Sequence, residues 1–173
     1  MPTRRHHAVT ARARKIRLLV MDVDGVLTDG RLHFGASGEE MKTFHVRDGA
    51  GLVALQRAGV TVAIVSGRSS PAVERRAAEL GIRLVRQGAT DKAHEVETLA
   101  ARLGTTREEM ACMGDDTPDL PMMRRAALAI AVADAHAEVI EAADWVTTHK
   151  GGDGAVREVC DLLLRARQAP ASV

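Results

Sequence analysis

IRLLVMDVDGVLT, residues 16–28, is the stretch from which the rest of the chain can be read. Its first part, IRLLVM (16–21), is short, mostly apolar and bounded by charge. That suits a strand buried on both faces of a parallel sheet. The run stops at Asp22, and a second carboxylate, Asp24, follows just before Gly25. The two side chains can converge on one reacting group if the chain bends after the strand. Gly25 permits the bend and would leave backbone N–H groups open to an anion. Two acids so close repel each other unless a cation or a shared proton intervenes. The plainer reading of the same residues is a capping aspartate followed by an Asx-turn.

Working outward, similar apolar runs recur as TVAIV (61–65), RLV (83–85), ACM (111–113), LAIAV (128–132) and WV (145–146), which makes about six strands. Helical patterns lie between and after them, at 50–58, 71–80, 92–103, 120–125, 135–142 and 155–167, with Ser70 as the N-cap and Pro71 as the first residue of the second. This alternation predicts an α/β fold: a doubly wound, Rossmann-like parallel sheet with helices on both faces and right-handed crossovers. Active sites of such sheets lie beyond the carboxyl ends of the strands. One segment departs from the pattern. RLHF and MKTFHV flank GASG and read as a β-hairpin inserted at about residues 31–46. No other insertion is long enough for a second domain, so the site is expected to lack a large lid. The expected division is a basic, solvated tail over 1–15, one domain over 16–167 and a short tail over 168–173.

Composition excludes several classes of function. The 173 residues are 46% hydrophobic, enough for one substantial core, and 24 basic against 23 acidic side chains leave a formal charge of +1. Nothing there marks a nucleic-acid or membrane binder. No apolar run approaches the ~20 residues of a membrane helix. The N-terminal Arg4, Arg5, Arg12, Arg14 and Lys15 are not followed by a signal-peptide core. Cys112 and Cys160 have no metal-ligand spacing and read as buried small side chains, in keeping with a reducing cytoplasm.

Further candidates stand at the ends of the other strands. Ser66-Gly67 follows TVAIV, where such a pair by itself is an ordinary turn. Lys92 opens a helix and by itself would be a solvated residue. MGDDTPD (113–119) places Asp115, Asp116 and Asp119 together after a strand, which is unfavourable without a cation or Lys92 to offset them. The seven histidines have no paired helical spacing with an acidic partner, which argues against zinc. GGDG (151–154) lacks the lysine of a phosphate loop and reads as a helix-entry turn.

Taken in order, these stretches resemble the motifs of haloacid dehalogenase phosphatases: DVDGVLT is similar to DxDGxxT, and Ser66, Lys92 and MGDDTPD fall at the second, third and fourth motifs. The resemblance implies that Asp22 attacks phosphorus and that Asp24 is the general acid and base. It also implies that the Ser66 hydroxyl holds a phosphoryl oxygen and that Lys92 balances phosphate and aspartate charge. Asp115 would bind a metal directly, with the Asp22 carboxylate and the backbone carbonyl of Asp24. Oxygen-only ligation of that kind suits Mg²⁺. Asp116 would be a water-mediated ligand and Asp119 would orient Lys92.

DVDGVLTDG, GEEMKTFHVRDGAG, GRSSPAVERRAAELGI, QGATDK, MGDDTPDLPMM, AVADAHAEV and GGDGAVREVCDLLL narrow the resemblance to the capless 3-deoxy-D-manno-octulosonate 8-phosphate phosphatases, over residues 16 to about 167. It implies a cytoplasmic homotetramer in which the hairpin shapes neighbouring sites, and a C-terminal tail that can reach a neighbour. The product would feed lipopolysaccharide or another octulosonate glycan. Gly67, Arg68, Arg47 and Arg76 lie where that family supplies groups for an acidic sugar. A guanidinium fork suits the sugar's carboxylate, although Arg47 and Arg76 are equally readable as structural ion-pair partners. Arginine at position 68, where phosphatases of nine-carbon sugars tend to carry glutamate, favours the octulosonate. Serine at 66, where threonine is commoner, keeps the hydroxyl. The alternatives are a phosphatase of another sugar phosphate, such as a nine-carbon ulosonate 9-phosphate, and a catalytically silent binding or regulatory relative.

Overall fold

The computed structural model of the protein describes residues 4–168. In chain order these form α1 (Arg4–Ala13), β1 (Leu18–Met21), β2 (His33–Phe34), β3 (Glu40–Met41), α2 (Val46–Arg57), β4 (Thr61–Val65), α3 (Pro71–Glu79), β5 (Leu84–Arg86), α4 (Lys92–Leu103), β6 (Met110–Gly114), α5 (Leu120–Met123), β7 (Leu128–Ala131), α6 (Ala137–Ala142), β8 (Trp145–Val146) and α7 (Ala155–Gln168). All six expected core strands are present, and they pair in parallel in the order β5-β4-β1-β6-β7-β8.

β1 lies at the centre because each of its four side chains is fully buried, as a strand covered by helices on both faces requires. The chain first leaves β1 towards β4 and β5, then returns to build β6, β7 and β8 on the other side. Such a reversal of direction opens a crevice at the carboxyl ends of the strands. The register aligns Met21 with Ile64 and with Met113, so the residues just beyond β1, β4 and β6 emerge side by side. α7 packs against both α2 and α1, and α4 packs on α5. The inserted hairpin pairs His33 with Met41 and Phe34 with Glu40.

Three local readings need correction. Residues 4–13, expected as part of a solvated tail, form α1. Val9 and Ala13, one turn apart, are buried, and Arg12 anchors the helix to Asp144 at 2.6 Å. α2 starts at Val46 rather than at residue 50. Gly49 and Gly51 argue against helix locally, yet they allow close approach: a Cβ would stand 2.3 Å from Arg76 Nη2 at the first and 3.1 Å from Cys160 Cβ at the second. Asp48, buried beside them, accepts a hydrogen bond from the Arg157 N–H (2.8 Å) in the first turn of α7. Ser70 does occupy the N-cap position of α3, but its hydroxyl makes no capping bond. Its N–H donates instead to Gln87 Oε1 at 2.8 Å. Residues 169–173 of the expected C-terminal tail lie outside the described residues.

Candidate active site

Asp22 is the first residue past β1, with its N–H bonded to the Met113 carbonyl (3.1 Å) and its side chain only 7% exposed. Lys92 meets it from the first position of α4. Asp91 fixes that helix start by accepting a hydrogen bond from the His94 N–H at 3.0 Å. Lys92 Nζ lies 2.9 Å from Asp22 Oδ1 and donates to Asp119 Oδ1 at 2.6 Å. The other oxygen of Asp119 accepts from the N–H groups of Asp115 (3.0 Å) and Asp116 (3.3 Å). Asp119 thus locks both the lysine and the loop after β6. Burial works against the Lys92 ammonium, but Asp22 and Asp119 outweigh it and its pKa rises.

Carboxylate oxygens of Asp22, Asp115 and Asp119 all lie within 4.8 Å of one another. Asp115 Oδ1 is buried with no hydrogen-bond partner. Burial, then the charge of Asp119, pushes the Asp22 carboxyl up to about 6; burial, then Asp119, Asp22 and Asp116, pushes Asp115 up to about 8. One ammonium is too little positive charge for this group, and its oxygen-only donors fit a hard divalent cation.

The crowding has a measurable consequence. A carboxyl with a raised folded-state pKa favours folding below its ordinary value of 3.8, and that contribution is lost as pH rises, here to about 8 for Asp115. In the presence of chelator, Asp115→Asn is therefore expected to raise the melting temperature by about 2–4 °C at pH 8, where 1 kcal/mol is worth that much, and by progressively less towards pH 4. Thermal melts across that range check it. A destabilised variant at pH 8 would show that Asp115 is not electrostatically frustrated.

The loop after Asp22 is held from behind. Gly25 adopts φ +87°, and a Cβ there would stand 2.0 Å from Asp115 Oδ2. Its N–H was expected to face an anion, but it donates to Thr28 Oγ1 (3.3 Å), which also accepts from Gly30 N–H (3.2 Å). GGDG is the expected turn before α7, and it also supports this loop. Gly152 N–H donates to the Val26 carbonyl at 3.0 Å, and a Cβ on Gly151 would fall 1.7 Å from the Gly25 carbonyl oxygen. Gly151→Ala is expected to cost about 1–3 kcal/mol through overpacking and to lower turnover by shifting residues 22–28. Urea titration with a parallel activity assay tests both effects.

Ser66 emerges from β4 beside Asp22. It is buried, and its Oγ accepts from Arg68 N–H at 3.3 Å. Asp22, Asp24, Gly67, Arg68, Lys92, Asp115, Asp116 and Asp119 line one cavity of about 850 Å³, with Arg125 at its edge. The Asp116 carboxylate accepts from Thr117 N–H at 2.7 Å.

These features coincide with close relatives. A family profile for haloacid dehalogenase-like hydrolases matches residues 84–159. The chain is 48% identical to the 3-deoxy-D-manno-octulosonate 8-phosphate phosphatase of Escherichia coli K12, over 92% of this chain and 85% of that one. The chain belongs to that phosphatase family. Among solved relatives, the Yersinia pestis phosphatase superposes with a TM-score of 0.92 at 47% identity, covering 93% of this chain and 87% of that chain. The Moraxella catarrhalis phosphatase, solved with magnesium ion, phosphate ion and KDO, superposes at 0.91 with 44% identity, covering 92% of each chain.

Of the positions expected to be catalytic in this phosphatase-family member, Asp22, Asp24 and Lys92 line the one cavity, whereas Ser66 and two of the expected sugar-binding arginines do not. Arg76 sits 5.9 Å over the Phe44 ring and pairs with Glu79, in a groove along α2. Arg47, carried on the first turn of α2, lines a separate groove beside α7 with Arg157 and His149. Within one chain neither lines the cavity at Asp22: Arg47 is carried on the first turn of α2, beside α7, and Arg76 on α3, beside α2. Sequence reasoning missed Lys42 and Glu40. Lys42 Nζ pairs with Asp24 Oδ1 (2.5 Å) and Glu40 Oε1 (2.9 Å), while Arg68 contacts Asp24 Oδ2 (3.6 Å) and Glu40 Oε2 (2.5 Å). A lysine just after a short hairpin strand gives no local sign that it will be buried.

Proposed function

We propose that this protein hydrolyses 3-deoxy-D-manno-octulosonate 8-phosphate in the presence of Mg²⁺, releasing inorganic phosphate. The observation that carries the proposal is Asp22 held by Lys92 beside the unpartnered Asp115, in a chain 48% identical to a phosphatase of that substrate. Asp22 and Asp115 would hold the ion through carboxylate oxygens, with the Asp24 backbone carbonyl and, through water, Asp116. The bound ion supplies positive charge that offsets the acids and stabilises the transferring phosphoryl group.

Asp22 then attacks phosphorus in line, forming an aspartyl phosphate as the bond from phosphorus to the sugar oxygen breaks. Protonated Asp24 gives its proton to the departing alkoxide. The resulting Asp24 carboxylate takes a proton from water, which attacks the aspartyl phosphate, releases phosphate and restores Asp22. Lys92 and the Ser66 hydroxyl hold phosphoryl oxygens, and Arg68, beside Gly67, pairs with the sugar carboxylate. The hairpin is the proposed contact of a homotetramer, since Leu32, Phe34 and Met41 on it are exposed, as is Val46 at the start of α2 by 80%. No helix among the described residues is long and apolar enough to cross a membrane, which fits the proposed cytoplasmic setting.

Phosphate release from a panel of sugar phosphates, with Mg²⁺ or chelator, tests the proposal. Metal-dependent preference for octulosonate 8-phosphate is the expected result. Preference for a nine-carbon ulosonate 9-phosphate would overturn the substrate. Absence of metal-dependent release from every member would overturn the activity.

A further inference from the structure

Lys42 follows β3 in the inserted hairpin, and its side chain is only 2% exposed. Lysine is almost never buried this far unless it is paired, and here it bridges Asp24 and Glu40. Burial opposes its charge, but the two carboxylates outweigh that and keep it an ammonium. Each oxygen of Asp24 faces a cation: Oδ1 meets Lys42 and Oδ2 meets Arg68, with Glu40 joining the two cations. The hairpin has two strands of two residues each, and Phe34 and Met41 on them are exposed, so those strands bury little apolar surface there. The contacts of Lys42 and Arg68 tie it to the site.

The pattern parallels the one at the nucleophile. Lys92 holds Asp22 and is fixed by Asp119; Lys42 holds Asp24 and is fixed by Glu40. The two cations at Asp24 differ in what a substrate would do to them. Arg68 lines the cavity and is the proposed partner of the sugar carboxylate, so a bound substrate would compete with Asp24 for it. Lys42 does not line the cavity and stays.

We propose that Lys42 is a positioning residue for Asp24, holding one carboxylate oxygen so that the other is presented to the leaving oxygen of the substrate. The inference rests on Asp24 acting as general acid in the proposed phosphatase reaction. It predicts that losing Lys42 impairs proton delivery more than attack on phosphorus.

Leaving-group dependence separates those two effects. A sugar alkoxide needs a proton as it departs, whereas p-nitrophenolate does not, and kcat/KM reports the first chemical step for both. Lys42→Met is expected to lower kcat/KM on octulosonate 8-phosphate about 100-fold, the lower end of what general acid catalysis supplies. The loss on p-nitrophenyl phosphate is expected to be at least tenfold smaller. Lys42→Arg, which keeps the charge, should recover part of the sugar phosphate activity. Lys42→Gln provides the same comparison if the methionine variant does not fold. Equal losses on both substrates, or no loss on either, would overturn the positioning role. A wild-type protein inactive on both substrates would instead overturn the phosphatase reading, and this one with it.

Discussion

Asp22→Asn is expected to reduce phosphate release by about 10⁴-fold or more, the scale of removing a covalent nucleophile, without loss of the fold. An amide at this position cannot form the aspartyl phosphate, while the rest of the site stays in place. Lys92 keeps Asp119 at 2.6 Å, and the Asp22 N–H keeps its bond to Met113, which involves only backbone. Stability should not fall. Burial has already raised the Asp22 carboxyl to about 6, so ionised Asp22 opposes folding at neutral pH in the absence of metal. In chelator at pH 7.5 the variant should therefore melt at or above the wild-type temperature. Turnover above about 1% of wild type, a loss far short of that scale, would remove Asp22 from the nucleophile's role. Lost turnover with an equally lost fold would leave its role structural.

Lys92→Met should reduce both activity and stability. Lys92 is the ammonium shared by Asp22 and Asp119, two carboxylates of which Asp119 is only 1% exposed. Removing one partner of a buried ion pair costs about 3–5 kcal/mol, because the remaining charge has no compensation. A methionine fills much of the same volume, so the loss is electrostatic rather than a cavity effect. It should accordingly depend on pH. At pH 8 Asp22 is ionised and the full cost applies, whereas at pH 5 Asp22 and Asp115, whose carboxyls are already raised, take up protons and relieve it. Urea unfolding in chelator at the two pH values measures the difference. Equal destabilisation at both would mean that Lys92 matters through packing. Activity is expected to fall about 10³-fold, in line with the loss of a group that stabilises charge in the transition state.

Sequence reasoning succeeded where the controlling interactions are local. TVAIV and WV became strands with the expected boundaries, and KAHEVETLAARL became α4 from Lys92 to Leu103, because apolar spacing, the Asp91 cap and Gly104 at φ 62° act within a few residues. It failed where distant parts of the chain override local preference. Gly49 and Gly51 weaken a helix in isolation, yet α2 runs through them because α3 and α7 approach there. The basic N-terminal segment looked like a tail because its helix depends on burying Val9 and Ala13 against α7 and the sheet.

The site divides along the same line. The positions of Asp22, Ser66 and Asp115 just past apolar runs were legible from the sequence, and a doubly wound sheet places such ends along one edge, but their roles were implied only by the resemblance to the phosphatase motifs. The pairing of Lys92 with Asp119 was implied by the resemblance to the phosphatase motifs, and the fold brings the two to 2.6 Å. Lys42 against Asp24, Gly151 beneath Gly25, and the placement of Arg47 and Arg76 outside the cavity depended on how the hairpin, the α7 entry turn and α2 pack. Strand and helix periods, caps and turns are determined by neighbours along the chain, and a sequence records them directly. Contacts such as Arg157 with Asp48 join residues 109 positions apart, and the burial that decides whether a lysine is solvated or held between two carboxylates exists only after the chain has folded.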